Sequence, residues 1–346
     1  MFIILAYVAF YLFALMAEGA SAKNKSRLLM LTCLALALFA GFRDISSWND
    51  TGVYQICFVD YTPKFGDLTL MDKPFGYAEK GFFYLGVFVK TFTDNVTIYF
   101  LFIALLSFYF LYKAFDKYCL YPLLGVCAYV SRFYLARNLM QIRAGLSYAI
   151  ILVAVQYITK RDWKRYFALV FIAYLFHHSA LIAVPLYFLC LVKIKKKHIL
   201  LGILAAFIAS YYFSDYIKLI VGDNASDLNV TTYVTDEYTR EYGLANPMIY
   251  FQLFLLLMYT FTEKRMRLTT GYYETIRNAY FYSTLILITF SCYTALSGRT
   301  SSMFATLEMV IIPSLAFSFM KNNRWLAFIV MGVALTAIFY MNWMRS

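Results

Sequence analysis

The chain has 346 residues, of which 62% are hydrophobic, 20% aromatic and 14% charged, with a net charge of +12. Soluble domains carry about 45–50% apolar and about 25% charged residues, so this composition excludes a water-soluble globular enzyme. The positive charge does not indicate nucleic acid either, because the basic residues stand in clusters between apolar runs instead of lining one face.

Apolar runs near residues 1–17 and 27–42 open the chain, each close to the ~20 residues that cross about 30 Å of hydrocarbon as a helix. Residues 43–94 form a first long loop, ending in "GFFYLGVFVKTF", which is expected as an amphipathic helix at the membrane surface. Further helices are expected at 95–112, 118–135, 140–159, 166–178, 179–192 and 199–217. A second, acidic loop follows at about 218–246, with Asp223, Asp227, Asp236, Glu237 and Glu241. The last helices are expected at 247–262, 278–296, 303–320 and 325–343. Continuously apolar runs of this kind demand helices, since barrel strands alternate. The expected fold is all-α: a polytopic membrane protein of about twelve transmembrane helices, one integral membrane domain over 1–346, with both long loops on one side.

Basic clusters at Lys23/Lys25/Arg27, Lys113/Lys117, Lys160/Arg161/Lys164/Arg165, Lys193/Lys195/Lys196/Lys197, Lys264/Arg265/Arg267 with Arg277, and Lys321/Arg324 set the orientation. If all are cytoplasmic, the positive-inside rule holds throughout and both termini and both long loops are periplasmic. Residues 166–192 lie between two such clusters, so the chain must enter the membrane and return there. His177, His178 and Ser179 then mark the turn of a short helix pair on the outer side. The segment "EGASAK" resembles a signal-peptidase site, but no basic segment precedes the first apolar run, and that helix is expected to be retained. The six cysteines show no disulfide or zinc spacing.

Polar residues gather at the outer ends of these runs: Arg43 and Asp44 after the second, Arg132, Arg137, Asn138, Gln141 and Arg143 between the fourth and fifth, Arg299 and Glu308 near the eleventh. A charge at membrane depth costs at least about 2.5 kcal/mol near the centre, so such groups face a cavity or a partner. Guanidinium groups bind phosphate bidentately. Arg43, Arg137, Arg143 and Arg299 are therefore candidates for a diphosphate site at headgroup level, while Arg132 can equally be paired with an acid. Asn138, Gln141, His178 and Ser179 are candidate substrate contacts. Asp50, Glu79 and His177 are the candidate proton acceptors, and the residues alone do not choose among them. No metal site is expected, and no P-loop, dinucleotide fingerprint or GxSxG is present.

Taken in order, "FRDISSWNDTGVY", "EKGFFYLG", "QIRAGLS" and "FHHSALIAVPLYF" resemble the succession found in EpsG-like membrane proteins, which include Wzy-type O-antigen polymerases. The resemblance covers about residues 40–190, with an Arg near a late span, here Arg299. It points to Arg43, Asp50, Tyr54, Glu79, Arg143, His177 and Ser179. The chain departs from the pattern at Trp48-Asn49-Asp50, where Gly-x-Asp is usual, and at Ala144, where Gln is usual.

The resemblance implies a membrane glycosyltransferase that needs no cofactor. It would transfer a growing glycan from undecaprenyl diphosphate onto the terminal sugar of an incoming undecaprenyl-diphosphate-linked oligosaccharide, at the periplasmic face of a bacterial inner membrane. A chain-length regulator and a flippase would be its protein partners. The alternatives are a flippase or other transporter, expected to show internal repeats, and an O-antigen ligase, which differs only in acceptor. A membrane acyltransferase has only His198 in its favour.

Overall fold

The computed structural model describes residues 2–69, 79–212, 214–216, 242–319 and 324–344. Most of the expected acidic loop, residues 218–241, and residues 70–78 of the first loop lie outside the described residues. The chain divides into two compact units, residues 1–184 with 308–346, and residues 185–307.

The first unit begins with α1 (Phe2–Ala17) and α2 (Ala22–Gly41), followed by α3 (Thr51–Tyr61), α4 (Lys80–Phe92) and α5 (Val96–Tyr118). Next come α6 (Pro122–Tyr129), continued by a π-helical stretch Val130–Met140, then α7 (Ile142–Thr159) and α8 (Trp163–Phe176). A 3-10 turn, His178–Ile182, leads into α9 (Ala183–Leu191), on which the unit ends. Local chemistry sets several of these starts. Asn95 accepts hydrogen bonds from the N–H groups of Thr97 and Ile98 (2.8 and 3.3 Å) to cap α5, and Asp162 caps α8 through Arg165 N–H. The start of α6 is capped from a distance. Glu18 Oε1 accepts from Leu123 and Leu124 N–H (2.6 and 3.3 Å), while Lys25 pairs with its other oxygen at 3.1 Å.

Side-chain bonds fix how these helices run. Ser26 and Tyr112 hydroxyls meet at 3.0 Å, and Arg43, just past the end of α2, stacks on Phe100 in the first turns of α5. So α2 and α5 are antiparallel. Ile142 packs with Tyr99, Phe100 and Ile103, and the Tyr118 hydroxyl donates to Leu152 O and accepts from Gln156 N–H (2.7 and 2.9 Å), so α5 and α7 run parallel. The Tyr166 hydroxyl donates to Ala183 O at 2.6 Å. Tyr166 lies ten residues before Phe176, about 15 Å down α8 at 1.5 Å per residue, so the chain reverses at His177. One end of the unit thus gathers the end of α2, the starts of α5 and α7, and the turn at His177. The clusters Lys23/Lys25/Arg27, Lys113/Lys117 and Lys160–Arg165 belong to the opposite ends of the same helices.

The second unit contains α10 (Lys196–Tyr212), α11 (Pro247–Phe261), the single turn Glu263–Met266, α12 (Tyr273–Thr289) and α13 (Thr294–Ala305). Buried polar contacts lace it together: Ser210 with Ser291 (2.7 Å), Arg277 with Ile194 O (2.7 Å), and Ser283 with Ser301 O (2.7 Å). Two helices then return to the first unit, α14 (Glu308–Phe319) and α15 (Arg324–Trp343).

Among the described residues, α2, α5, α7 and α15 are long and apolar enough to cross a membrane, and α1, α11 and the His178–Leu191 segment are shorter apolar helices. The described residues are all-helical, with the apolar helices of a membrane protein. The structure departs from the expected elements in three places. Residues 51–61, expected as loop, form α3, because Thr51, Tyr54 and Phe58 share one buried face and Lys90 of α4 donates to the carbonyls of Phe58 and Val59 at its end. The expected helix 278–296 is α12, which starts and ends earlier. The expected helix 303–320 is divided into α13 and α14, with Arg299 inside α13 and not at a helix start. The polar run "SGRTSS" reads as loop, yet its hydroxyls bond back to the helix, as Thr300 does to Leu296 O and Ser302 to Arg299 O (both 2.7 Å), which lets it remain helical and partly buried.

Arg132 and Glu308 form a buried ion pair at 2.6 Å, with side chains 14% and 1% exposed. Removing one partner strands the other, which costs about 3–5 kcal/mol, whereas an apolar replacement of both is close to neutral. Glu308→Ala should therefore lower the thermal midpoint of the detergent-solubilised protein sharply, and Arg132→Met with Glu308→Leu should recover most of the loss. An additive double variant would exclude the pairing.

Candidate functional site

Glu79 stands at the N-cap of α4, and its position depends on how closely α4 approaches α8. A Cβ at Gly81 would lie 2.6 Å from Leu175 O and 2.7 Å from Leu175 Cβ, so only glycine lets the first turn of α4 rest on the last turn of α8. That contact brings Glu79 to the turn at His177. Glu79 Oε1 lies 2.7 Å from His177 Nδ1 and accepts from His178 N–H at 3.3 Å. Its other oxygen, Oε2, accepts from Arg143 Nη1 at 2.6 Å. Arg143 also donates from Nε to the Tyr54 hydroxyl at 3.5 Å.

The carboxylate is 4% exposed, the Arg143 side chain 12% and the His177 side chain 23%. Burial alone raises the Glu79 carboxyl, but the His177 hydrogen bond and the Arg143 charge outweigh it and hold the group below its usual range. Burial also lowers the His177 imidazole, and although Glu79 opposes this, the net shift is below the usual value. At neutral pH the pair is thus an ionised carboxylate and a neutral ring. An ionised carboxylate only accepts, so Nδ1 carries the proton and Nε2 presents a lone pair.

A second layer surrounds this dyad. Arg137, in the last turn of the π-helical stretch, donates to Gln141 Oε1 at 2.8 Å and lies 4.4 Å over the Tyr148 ring. The Tyr148 hydroxyl meets the Ser179 hydroxyl at 3.0 Å, and its ring centroid is 6.3 Å from that of His177. A Cβ at Gly145 would lie 2.1 Å from Arg137 O, so glycine is what allows α7 to begin directly against the π-helical segment. Asn138 accepts from the Tyr129 hydroxyl through Oδ1 at 2.7 Å.

Arg43 is buried beside this layer. Its Nη1 donates to Ala40 O and Asn138 O (2.9 and 3.1 Å), and its guanidinium lies 3.9 Å over Phe100. Asp44 accepts from Ser46 and Ser47 hydroxyls (2.8 and 2.7 Å) instead of pairing with Arg43.

Of the residues singled out in the sequence, the structure brings Tyr54, Glu79, Arg137, Gln141, Arg143, His177 and Ser179 into one cluster, with Arg43 and Asn138 joined to its edge. His178 contributes its backbone N–H, while its ring is exposed and lies 5.0 Å from that of Tyr174. Asp50 is exposed and left-handed (φ 65), and its side chain caps no N–H of α3. Arg299 belongs to the second unit. Tyr148, Gly81 and Gly145 are participants that sequence reasoning missed. The available signal was a tyrosine in an apolar helix five residues after Arg143.

The imidazole of His177 can be followed by NMR in a chain with three histidines. Its midpoint should lie below the ordinary histidine value. Glu79→Gln removes the partner that favours the charged ring, so the midpoint should fall further. Arg143→Gln removes a repelling cation, so it should rise. Shifts of the opposite sign would overturn the assigned charge states.

The EpsG family model matches residues 26–346, a span that contains every member of the cluster. The chain is 22% identical over 317 residues to the amylovoran biosynthesis protein AmsC of Erwinia amylovora, an alignment covering 87% of this chain and 83% of that protein. No solved structure matches. The chain belongs to the EpsG family.

Proposed function

We propose that this protein is a polysaccharide polymerase that joins lipid-linked oligosaccharide repeats, and that the Arg143–Glu79–His177 cluster is its active site. The observation that carries the reading is Glu79, whose two oxygens are held by a cation on one side and an imidazole on the other. That places a fixed positive charge and a proton acceptor on opposite sides of one carboxylate, as glycosyl transfer from a diphosphate requires.

In the proposed reaction an acceptor sugar hydroxyl loses its proton to His177 Nε2 as its oxygen attacks the anomeric carbon of the donor. The bond from that carbon to the diphosphate oxygen breaks, and undecaprenyl diphosphate leaves with the electron pair. Arg143 and Arg137 offset the charge growing on the leaving group. Glu79 orients the imidazole and stabilises it once protonated, which gives it a positioning role. Tyr54 and Ser179 contact substrate, and Arg299, in the second unit, is a separate candidate for binding a phosphate. Asp50 is the alternative base; its exposure argues for a supporting role.

The proposed setting is a bacterial inner membrane crossed about twelve times, with both termini, both long loops and the cluster periplasmic. The separation of the cluster from Lys23/Lys25/Arg27, Lys113/Lys117 and Lys160–Arg165 along the same helices supports this orientation. The biosynthetic role carried by the name of AmsC supports a polysaccharide product.

In cells lacking the chromosomal copy, His177→Ala and Arg143→Ala should each reduce the surface glycan from a ladder to a single repeat, at unchanged protein abundance. A loss of about a hundredfold in joining rate is the scale expected for removing one charge-stabilising donor. Arg299→Ala should weaken the ladder in the same direction. Loss of all attached repeats would indicate a ligase, accumulation of the lipid intermediate inside the cell a flippase, and a normal ladder in both of the first two variants would sink the proposal.

A further inference from the structure

A groove of about 480 Å³ opens beside the cluster, between the end of α2, the turn Ile45–Ser47 and the end of α15, within the roughly 300–1,000 Å³ common for ligand sites. Arg43 contributes to its lining, and the Nε and Nη2 groups of that side chain are shut off from solvent and have no acceptor among the described residues. On the wall, Asp44 is exposed, and the Ser47 and Ser46 hydroxyls hold its carboxyl below the usual carboxylate range. Trp48 and Trp343 stand edge to face, 5.7 Å apart at 79°, so their ring faces are roughly perpendicular. The groove connects to the cluster through one short link, since Arg43 donates to the carbonyl of Asn138, the residue after Arg137.

The charge balance selects the occupant. One guanidinium in the lining and one carboxylate on the wall sum to zero, so a diphosphate entering here would meet Asp44. An isoprenoid tail would cover the exposed, ionised Asp44 carboxylate with hydrocarbon and strip its water, which is costly. A glycan meets both requirements: its hydroxyls donate to Asp44 and to the Ser47 oxygen, whose own proton is given to Asp44, and its C–H faces pack on indole. We propose that this groove is a second carbohydrate site, holding a hydroxyl-rich, uncharged stretch of the glycan beside the reacting cluster. This rests on the proposed function, for which the glycan is the substrate. Its role is retention: a chain held here stays engaged between additions, so the groove governs product length and not the chemical step.

The test uses the full chain in lipid nanodiscs, with fluorescently end-labelled oligosaccharides released from the producing cell's own polysaccharide as the probe. Trp48→Ala, Trp343→Ala and Asp44→Asn should each weaken binding at least fivefold. Trp163→Ala, at the exposed start of α8, should not. In cells the first three variants should shift the ladder to shorter chains while joining of repeats continues. Unchanged affinity in Asp44→Asn and both tryptophan variants, or displacement of the probe by undecaprenyl diphosphate vesicles with equal strength in wild type and variants, would overturn the site. A normal ladder in His177→Ala would instead remove the polymerase reading, so the two failures are distinguishable.

Discussion

An ionised carboxylate with 4% exposure is what the candidate site depends on. An unpaired charge in such surroundings costs several kcal/mol, so Glu79 cannot remain ionised there without partners. It has three, supplied by the start of α7 and by two consecutive residues at the turn after α8. Each is useful only if α4 delivers the carboxylate to within hydrogen-bond reach, and Gly81 makes that approach possible. The same logic applies to Gly145, which sets the end of the π-helical stretch against α7 and so places Arg137 beside Tyr148. Two missing side chains hold the polar constellation together as firmly as its salt bridges do.

The cluster is also ordered by direction. Helices that run parallel, as α5 and α7 do, bring their N-termini to the same end of the unit, and with them the positive ends of their backbone dipoles. Arg143, in the first turn of α7, adds a full charge to that field. The starts of α5 and α7 thus bring positive dipole ends beside Glu79 and His177, while the C-terminal ends of α2 and α8 at the same end of the unit oppose them in part. On the proposed reading this is where a diphosphate is drawn, and the ion pair with Glu79 holds Arg143 in place before substrate arrives.

Much of this fold was legible from the sequence because apolar run length is a strong signal in a chain with 62% hydrophobic residues. The reversal at His177 followed from charge: two basic clusters flank residues 166–192, and the alternative of one long tilted span would put one of them on the wrong side. α3 was not legible, since eleven residues with two buried aromatic rings do not stand out inside a polar loop, and its stability comes partly from Lys90, which is distant in sequence. The helical "SGRTSS" segment was missed for a related reason, because hydroxyls that satisfy themselves within a helix look identical in sequence to hydroxyls in a loop. Within the site, residue types were legible and partners were not. Nothing in the order of residues says that Glu79 meets both Arg143 and His177, because that meeting is made by the contact of α4 with α8.

The arginines show this most clearly, because one residue type has four different surroundings. Arg132 is paired with Glu308 inside the first unit. Arg43 is bound to two carbonyls and a phenyl ring. Arg137 lies on tyrosine and holds a glutamine, while Arg143 shares a carboxylate with a histidine. A phosphate competing for these groups would have to displace and strand a buried acid at Arg132, while at Arg43 the Nε and Nη2 groups are shut off from solvent and the rest of the guanidinium holds two carbonyls. At Arg137 one partner is a neutral amide that can turn to water, and at Arg143 the carboxylate retains His177. The energetic cost of ligand exchange therefore falls toward the histidine, and the guanidinium groups best able to accept a new anion are the two nearest the ring that can take a proton.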